Sequence, residues 1–222
     1  MIINLNLQNR KVCIIGGGTE ALKRITPLLQ EKCKILVISD EINKQISNLA
    51  EKKKIKIKKW RLRDAEFLQK EDPFLVITTT NDQKLNLLIL QKAKEMKIIS
   101  YSSDKPEQSD FANPSLINFK KIVKIAIFTG GKSPIMSKRI KRQIENSLKK
   151  TIKREDLEQI KIQEIARKLA KTRIDDHKNR KEFLDNLTRD KKIKQLIKER
   201  KMKKIENRIY ELMRNENESK DN

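Results

Sequence analysis

The amino-acid sequence predicts an α/β protein built on a doubly wound parallel sheet, followed by a smaller helical region. In the first half of the chain, short apolar runs alternate with stretches whose apolar residues have helical spacing, which is typical of a parallel sheet. Three of the five glycines stand together in CIIGGGTEALKR, directly after the first apolar run, where a strand turns sharply into a helix. The last third is highly charged and keeps helical spacing, which predicts helices alone.

The elements of the sheet follow in order along the chain. KVCII predicts the first strand and TEALKRITPLLQEK the first helix, and CKILVIS and EINKQISNLAEKK predict the second pair. KIKIKKW alternates lysine and isoleucine, which favours a strand with one solvated face at the edge of the sheet. PFLVITTT, QKLNLLILQKAKEM and KIISYSS then predict a fourth strand, a helix and a fifth strand.

A turn-rich passage, DKPEQSDFANP, separates this sheet from a strand at residues 121–129, the turn GGKS and a helix. Pro134 suits the first position of that helix and Ser133 suits its N-cap. No glycine or proline follows, so we expect charged amphipathic helices whose apolar faces need a partner subunit or the first domain to cover them. The predicted division is a sheet domain (1–113), a strand, turn and helix segment (114–150) and a helical domain (151–222).

Composition limits the classes of partner. The formal net charge of +23 indicates an anionic partner, namely nucleic acid, a membrane surface or a polyanionic small molecule, although coding bias towards lysine explains the same excess. Aromatic residues make up 4% and no basic motif interleaved with aromatics occurs, which argues against nucleic-acid recognition. Cys13 and Cys33 indicate neither a disulfide framework nor a zinc site. No apolar run reaches the ~20 residues of a membrane span, so we expect a soluble, cytoplasmic protein.

The first glycine cluster has the pattern of a dinucleotide fingerprint, Gly16-x-Gly18-x-x-Ala21, between a predicted strand and a predicted helix. The first glycine permits the sharp turn, the second lets the backbone approach a pyrophosphate, and Ala21 permits close helix packing. The alternative is an ordinary tight turn. The sequence therefore predicts a nucleotide site at the N-terminus of the first helix.

Polar residues follow several predicted strands at the end where parallel sheets bind ligands. Asp40 follows the second strand, Thr80 and Asn81 the fourth, and Asp104 the fifth. Asp40 lies at about the spacing, ~20 residues beyond the glycines, of an acid that binds a ribose hydroxyl and disfavours a 2′-phosphate, so NAD is favoured over NADP. Lys44 weakens that preference, and an alternative role for Asp40 is the N-cap of the next helix.

Four motifs, in this order and spacing, carry a resemblance to a known family: CIIGGGTEALKR, VITTTND, SSDKPEQSDFANPS and IAIFTGGKSPIMSKRIKRQIE. They resemble the precorrin-2 dehydrogenases of sirohaem synthesis, some of which are bifunctional dehydrogenase/ferrochelatases. The resemblance covers residues 3–150 clearly and the rest by architecture. Its most specific part is the run from Asp104 to Pro114, followed by Thr129 to Pro134.

The resemblance implies a Rossmann-like NAD-binding domain and oxidation of the tetrapyrrole precorrin-2 to sirohydrochlorin, with hydride passing to NAD. It assigns catalysis to Asp104; a turn former before Lys105 is the alternative role. The cofactor-binding residues that it implies are Gly16, Gly17, Gly18, Thr19, Glu20, Asp40, Glu41 and Thr80. The implied substrate-binding residues are Thr129, Gly130, Gly131, Lys132 and Ser133.

The implied partners are the tetrapyrrole and a second copy of the chain, joined through residues 114–150, without nucleic acid or membrane. A simple strand-to-helix connection remains the alternative role for Gly130 and Gly131. No resident metal is implied, and His177, the single histidine, is expected to face solvent. Whether Fe²⁺ is a second substrate, as in the ferrochelatases, stays open.

The chain departs from the family at Lys32, where a glycine is usual, at Tyr101, where asparagine is frequent, and at Thr129, where some relatives have serine. These departures affect fine substrate contacts. A second functional class also fits the glycine fingerprint: a Rossmann-like sensor or scaffold that binds NAD and uses its basic helices to hold nucleic acid or protein. Such a protein has no need of an acid at Asp104 beside the nicotinamide.

Overall fold

The structure is a computed structural model that describes residues 2–218, with side chains described up to residue 214. The chain divides into two compact units, Met1–Pro114 and Ser115–Asn222. The division predicted from the sequence has three parts, because it treats residues 114–150 as a separate segment. This three-part division stays a prediction.

The first unit is a five-stranded parallel sheet in the order β3-β2-β1-β4-β5, with helices between the strands. Its elements are β1 (Lys11–Ile15), α1 (Thr19–Leu28), β2 (Lys34–Ser39), α2 (Lys44–Glu51), β3 (Lys56–Lys59), α3 (Phe67–Glu71), β4 (Leu75–Thr78), α4 (Gln83–Glu95) and β5 (Ile99–Ser102). The doubly wound sheet is confirmed, and the lysine-rich strand lies at its edge as predicted. Helix α3 was not predicted, because five residues are too few to show helical periodicity.

The two faces of the sheet bury separate apolar layers because side chains alternate along each strand. Val12 and Ile14 of β1 belong to the layer that includes α1 and α2. Cys13 and Ile15 belong to the layer that includes α3 and α4. Burial raises the pKa of the Cys13 thiol to about 12, so this cysteine is an uncharged apolar filler at neutral pH.

The topology creates a crevice at the carboxyl end of the sheet. Strands β1 and β4 are neighbours, yet α1 leaves β1 towards one face while α4 leaves β4 towards the other. The Thr79 amide donates to the Ile15 carbonyl at 2.8 Å, so the two strand ends remain paired as the connections diverge. Open α/β sheets bind ligands at such a switch point.

The second unit begins with an antiparallel hairpin, β6 (Ser115–Phe119) and β7 (Val123–Ile127). Strand β6 was not predicted. Lys120 and Lys121, which form the tight turn, have φ of 53° and 61°. Hairpins normally place glycine or asparagine at such positions, so the lysine pair gives no sequence signal of a turn.

Five helices follow the hairpin in the described part of the second unit: α5 (Pro134–Thr151), α6 (Arg154–Arg173), α7 (His177–Arg189), α8 (Lys191–Lys198) and α9 (Met202–Glu218). Apolar residues of α6 to α9, among them Ile162, Phe183, Ile193 and Ile209, pack against one another. Much of the apolar surface that we expected a partner or the first domain to cover is therefore covered within this unit. None of the helices within residues 2–218 has the length and apolarity needed to cross a membrane.

Candidate functional site

The turn between β1 and α1 needs glycine at two positions for packing reasons. Gly16 has φ of 107°, and a Cβ placed on it would lie 2.6 Å from Thr79 Oγ1. A Cβ on Gly17 would lie 2.1 Å from the backbone carbonyl oxygen of Glu41, far inside van der Waals contact. Gly16 therefore permits the turn against β4, and Gly17 permits close approach of the loop after β2.

Gly18 has a different role, because a Cβ placed on it would meet no described atom within 4 Å. It is the N-cap residue of α1, and among the described residues no side chain caps this helix. Side chains do cap five other helices, α2, α4, α5, α7 and α8: Asn43, Asp82, Ser133, Asp176 and Asp190. The α1 turn thus combines open space above Gly18 with backbone N–H groups that no side chain occupies, which suits a pyrophosphate.

Thr19 and Glu20 form the first turn of α1. Thr19 is exposed and Glu20 is half-buried. The Glu20 carboxylate accepts hydrogen bonds from Lys23 at 2.9 Å and from Arg24 at 2.6 Å. The bond from Lys23 is the main cause that holds the pKa of the Glu20 carboxyl below its usual value. Glu20 is thus engaged within its own helix, and its contact with a cofactor stays a prediction.

Asp40 and Glu41 are exposed residues at the carboxyl end of β2. Asp40 Oδ1 accepts from the Glu41 amide at 3.1 Å, and Oδ2 lies 3.7 Å from Nε of Arg61. The alternative role of Asp40 as a helix N-cap is wrong, since Asn43 caps α2 by accepting from the Gln45 amide at 2.8 Å. The Asp40 carboxylate therefore remains at the carboxyl end of β2, next to the guanidinium group of Arg61.

Thr80 and Asp104, which follow adjacent strands, are brought together by a residue that sequence analysis missed, Asn86 of α4. The Thr80 hydroxyl donates to Asn86 Oδ1 at 2.7 Å. Asn86 Nδ2 donates to the Thr80 carbonyl at 3.0 Å and to Asp104 Oδ1 at 3.1 Å. Asn86 is 1% exposed, so these bonds form in a buried environment beneath an exposed carboxylate.

A second missed chain of hydrogen bonds reaches Asp104 from the sheet. Thr78 and Ser102 are paired across β4 and β5 and are fully buried. The Thr78 hydroxyl donates to Ser102 Oγ at 2.8 Å, and the Ser102 hydroxyl donates to Asp104 Oδ1. Their sequence signal is weak: hydroxyl residues at the ends of apolar strands, VITTT and ISYSS, that were assigned to the strands themselves.

The loop that carries Asp104 folds back on the outer edge of β5. The Ser100 amide donates to Asp110 Oδ2 at 2.7 Å, and the Asp110 amide donates to the Ser100 carbonyl at 3.0 Å. The Ser102 amide donates to the Ser109 hydroxyl at 2.9 Å. The backbone on both sides of Asp104 is therefore tied to the sheet.

In the second unit, Gly130 and Gly131 form a left-handed turn between β7 and α5, with φ of 64° and 76°. A Cβ on either would meet no described atom within 4 Å, so conformation alone accounts for glycine there. The Thr129 hydroxyl lies 3.0 Å from Oγ of Ser137, and Ser133 Oγ accepts from the Met136 amide at 3.2 Å. Both side chains thus have a role within the turn, as the strand-to-helix alternative requires.

Two further predicted features concern charge and metal. Lys132 is exposed in this turn, and His177 is exposed at the start of α7. Within residues 2–218, no group of three or more His, Cys, Asp or Glu side chains is arranged to hold a metal ion. Substrate binding by Thr129, Gly130, Gly131, Lys132 and Ser133 stays a prediction.

Comparison with known proteins adds to this geometry. Residues 3–115, about half of the chain, match the family described as putative NAD(P)-binding. The chain belongs to this family. The match covers the glycine turn, Asp40 and the Asp104 loop, so the NAD(P)-binding assignment and the crevice at the carboxyl end of the sheet concern the same residues.

Relatives of this NAD(P)-binding chain are enzymes of siroheme synthesis by name. A siroheme synthase from Baumannia cicadellinicola subsp. Homalodisca coagulata is 32% identical over 143 residues, which cover 64% of this chain and 30% of that protein. A precorrin-2 dehydrogenase from Priestia megaterium is 28% identical over 145 residues, which cover 65% of this chain and 69% of that protein. The chain spans about 30% of the length of the siroheme synthases that it matches. These relatives confirm the resemblance indicated by the sequence motifs.

A solved structure, SirC, precorrin-2 dehydrogenase, has the same fold. It superposes with a TM-score of 0.70 at 23% identity, over 93% of this chain and 99% of that one. This likeness supports the fold class, a Rossmann-like parallel sheet followed by a helical region.

Proposed function

We propose that the chain is an NAD-dependent precorrin-2 dehydrogenase that forms sirohydrochlorin in siroheme synthesis. The observation that carries this proposal is the Asp104 carboxylate, which Asn86 and Ser102 hold at the carboxyl end of β5. A dehydrogenase needs an acid in this position, whereas a nucleotide sensor or scaffold does not need one. The named relatives favour the same reaction.

The residues around the α1 turn fit a dinucleotide. The open space at Gly18 and the N–H groups of the first turn of α1 support binding of the phosphates there, and we assign the exposed Asp40 at the end of β2 to accept from a ribose hydroxyl. Gly16, Gly17, Thr19, Glu20, Glu41 and Thr80 complete the proposed cofactor-binding set. When bound, NAD supplies the hydride acceptor. The protein's part is to orient it and to handle the proton.

We assign to Asp104 the handling of the proton that is released in the oxidation. Oxidation of precorrin-2 removes two hydrogens: one leaves with two electrons as hydride, and the other leaves as a proton from the resulting cation. A carboxylate accepts that proton or stabilises the cation until the proton departs. Both described hydrogen bonds to Asp104 fall on Oδ1, so Oδ2 is the oxygen that we assign to proton transfer.

The tetrapyrrole itself carries many carboxylates, which accounts for the excess of basic residues without nucleic acid. We assign Lys132 and the turn Thr129, Gly130, Gly131 and Ser133, at the N-terminus of α5, to binding one of these carboxylates. We also propose that the active form is a homodimer joined through residues 114–150. Fe²⁺ enters the proposal as a second substrate of a ferrochelatase activity.

The proposed function is tested by incubating the purified chain with precorrin-2 and NAD and following the absorption spectrum of sirohydrochlorin. We expect conversion that requires NAD and is absent without protein. In a second arm, Fe²⁺ or Co²⁺ is added to sirohydrochlorin without NAD. Insertion no faster than in the protein-free control would limit the chain to the dehydrogenase reaction, and no oxidation in the first arm would remove the proposed function.

Asp40 provides a prediction about the choice of nucleotide. We expect the wild-type chain to bind NAD more tightly than NADP, because the Asp40 carboxylate repels a 2′-phosphate and accepts from a 2′-hydroxyl. In Asp40→Ala the preference should move towards NADP by about tenfold or more, since Arg61 loses its acidic partner and becomes available to the phosphate. Calorimetric titration with both nucleotides measures this, and Arg61→Ala in the same background should reverse the gain. An unchanged preference in Asp40→Ala would exclude Asp40 from the ribose site.

A further inference from the structure

The side chain of Asn86 makes three hydrogen bonds, all of them to two residues of the proposed site. A primary amide has one carbonyl acceptor and two N–H donors. Here the carbonyl accepts from the Thr80 hydroxyl, while the two N–H groups go to the Thr80 carbonyl and to Asp104 Oδ1. Both N–H donors and the carbonyl of this buried amide are therefore satisfied by groups of the proposed site.

The acceptors around Asn86 determine which way its amide points. Its Nδ2 faces a carbonyl oxygen and a carboxylate oxygen, neither of which has a hydrogen to donate. Rotating the amide by half a turn would place Oδ1 against both of these oxygens, so only the present orientation satisfies the environment. An aspartate at this position would have the same shape but would lack both donors and would add a second negative charge beside Asp104.

The hydroxyl chain has a direction for the same reason. An ionised Asp104 carboxylate is an acceptor only, so the single hydrogen of the Ser102 hydroxyl is committed to Oδ1. Ser102 Oγ is then the acceptor for the Thr78 hydroxyl. Two independent donors, one from α4 and one from β5, thus converge on one oxygen of the carboxylate.

We propose that Asn86 and Ser102 are positioning residues, which fix Asp104 by Oδ1 and so aim Oδ2 at the substrate. No described hydrogen bond or ion pair falls on Oδ2, and the residue is exposed, so without these two donors its side chain would be free to change rotamer. The loop backbone is already tied to β5 through Asp110 and Ser109. What the two donors add is the orientation of the carboxylate itself.

This inference rests on the proposed function, and the experiment separates the two. Asn86→Ala, Asn86→Asp and Ser102→Ala are compared with the wild type for kcat and KM with precorrin-2 and for the Kd of NAD. We expect kcat to fall by about 10- to 100-fold in all three variants, as for misplacement of a catalytic group, with KM changed less than about threefold. The Kd of NAD should change less than about threefold in Ser102→Ala, whereas the two Asn86 variants also release Thr80 of the proposed cofactor-binding set and should weaken NAD binding more. Asn86→Asp should be at least as slow as Asn86→Ala, because it keeps the shape and removes the donors.

A matched control is Ser100→Ala, on the same strand and face of the sheet. Ser100 is 2% exposed, and its hydroxyl donates to Asp110 instead of Asp104. Ser100→Ala therefore removes a buried hydroxyl group from this strand, as Ser102→Ala does, and we expect its kcat to stay at the wild-type value. Crystal structures of wild type and Asn86→Ala give a readout that is independent of turnover: the Asp104 carboxylate should leave its wild-type orientation in the variant.

The outcomes distinguish the two ideas. If the wild type oxidises precorrin-2 and all three variants keep its kcat, the positioning role is wrong while the proposed function stands. If the wild type does not oxidise precorrin-2, the proposed function is wrong, and the crystal structures decide the rest: an unmoved Asp104 in Asn86→Ala overturns the inference and a displaced one supports it. Should Asn86→Ala not fold, Ser102→Ala carries both readouts.

Discussion

Replacing Asp104 by asparagine is expected to lower kcat for precorrin-2 oxidation by about 10²- to 10⁴-fold, the usual contribution of a general base. The amide oxygen of the new side chain still accepts from Asn86 and Ser102, so the loop keeps its structure. The position of Oδ2, however, becomes an NH₂ group, which has no capacity to take a proton. Stopped-flow absorbance measures turnover, and calorimetry should show the Kd of NAD unchanged within about twofold.

Asp110→Asn is the matched control for this variant. Asp110 lies in the same loop, and its carboxylate accepts from the Ser100 amide and hydroxyl at 2.7 and 2.9 Å. Asp110→Asn therefore removes one negative charge, as Asp104→Asn does, but from a carboxylate that holds the loop on β5. We expect Asp110→Asn to keep most of the turnover. Full activity in Asp104→Asn would remove this residue from the mechanism.

The second large effect is expected when either of two adjacent glycines is replaced by alanine: one replacement should lower stability, and the other should lower cofactor affinity. Gly17→Ala places a methyl group 2.1 Å from the Glu41 carbonyl and 2.9 Å from the Ile42 side chain, so the backbone after β2 has to move. We expect the free energy of unfolding to fall by about 3 kcal/mol, the upper end of the usual cost of overpacking. Trp60, the single tryptophan, lies in the first unit and reports this in a urea titration.

Gly18→Ala is expected to fold normally and to lose cofactor affinity. Its methyl group meets no described atom within 4 Å, and its backbone, with φ of −84°, is accessible to alanine. Stability should change by less than about 1 kcal/mol. The methyl group occupies the space where we place the pyrophosphate, so the Kd of NAD should rise about tenfold or more, or about 1.4 kcal/mol. Unchanged NAD affinity in Gly18→Ala would place the phosphates elsewhere.

How far the fold was predictable from the sequence depends on the local signal that each element carries. The five strands of the sheet and helices such as α1 and α4 repeat their apolar pattern often enough to be recognised. Helix α3 has five residues, too few to show helical periodicity, and strand β6 is followed by a turn that has Lys120 and Lys121 at its centre instead of glycine or asparagine. Their structure depends on contacts with the rest of the unit and not on a local pattern.

The candidate site divides in the same way. Asp104 and the glycines were found because their position after a strand is itself a signal. Asn86 was missed, since an asparagine in the first half of a helix is indistinguishable from a solvent-facing residue until α4 is packed on the sheet. Asp40 shows the converse: as an N-cap it was a sound alternative, and only the actual start of α2 after Asn43 excludes it.

The loop that folds back on β5 also affects how the sheet meets other chains. An edge strand with open N–H and C=O groups is a template on which a further strand adds, the usual route to unwanted aggregation. Along β5 that template is already occupied by Ser109 and Asp110 of the same loop. At the opposite margin, β3 presents exposed Lys56 and Lys59, whose charges would repel the same lysines of a second copy, while Lys58 pairs with Glu71. The sheet is thereby protected on both flanks from polymerisation.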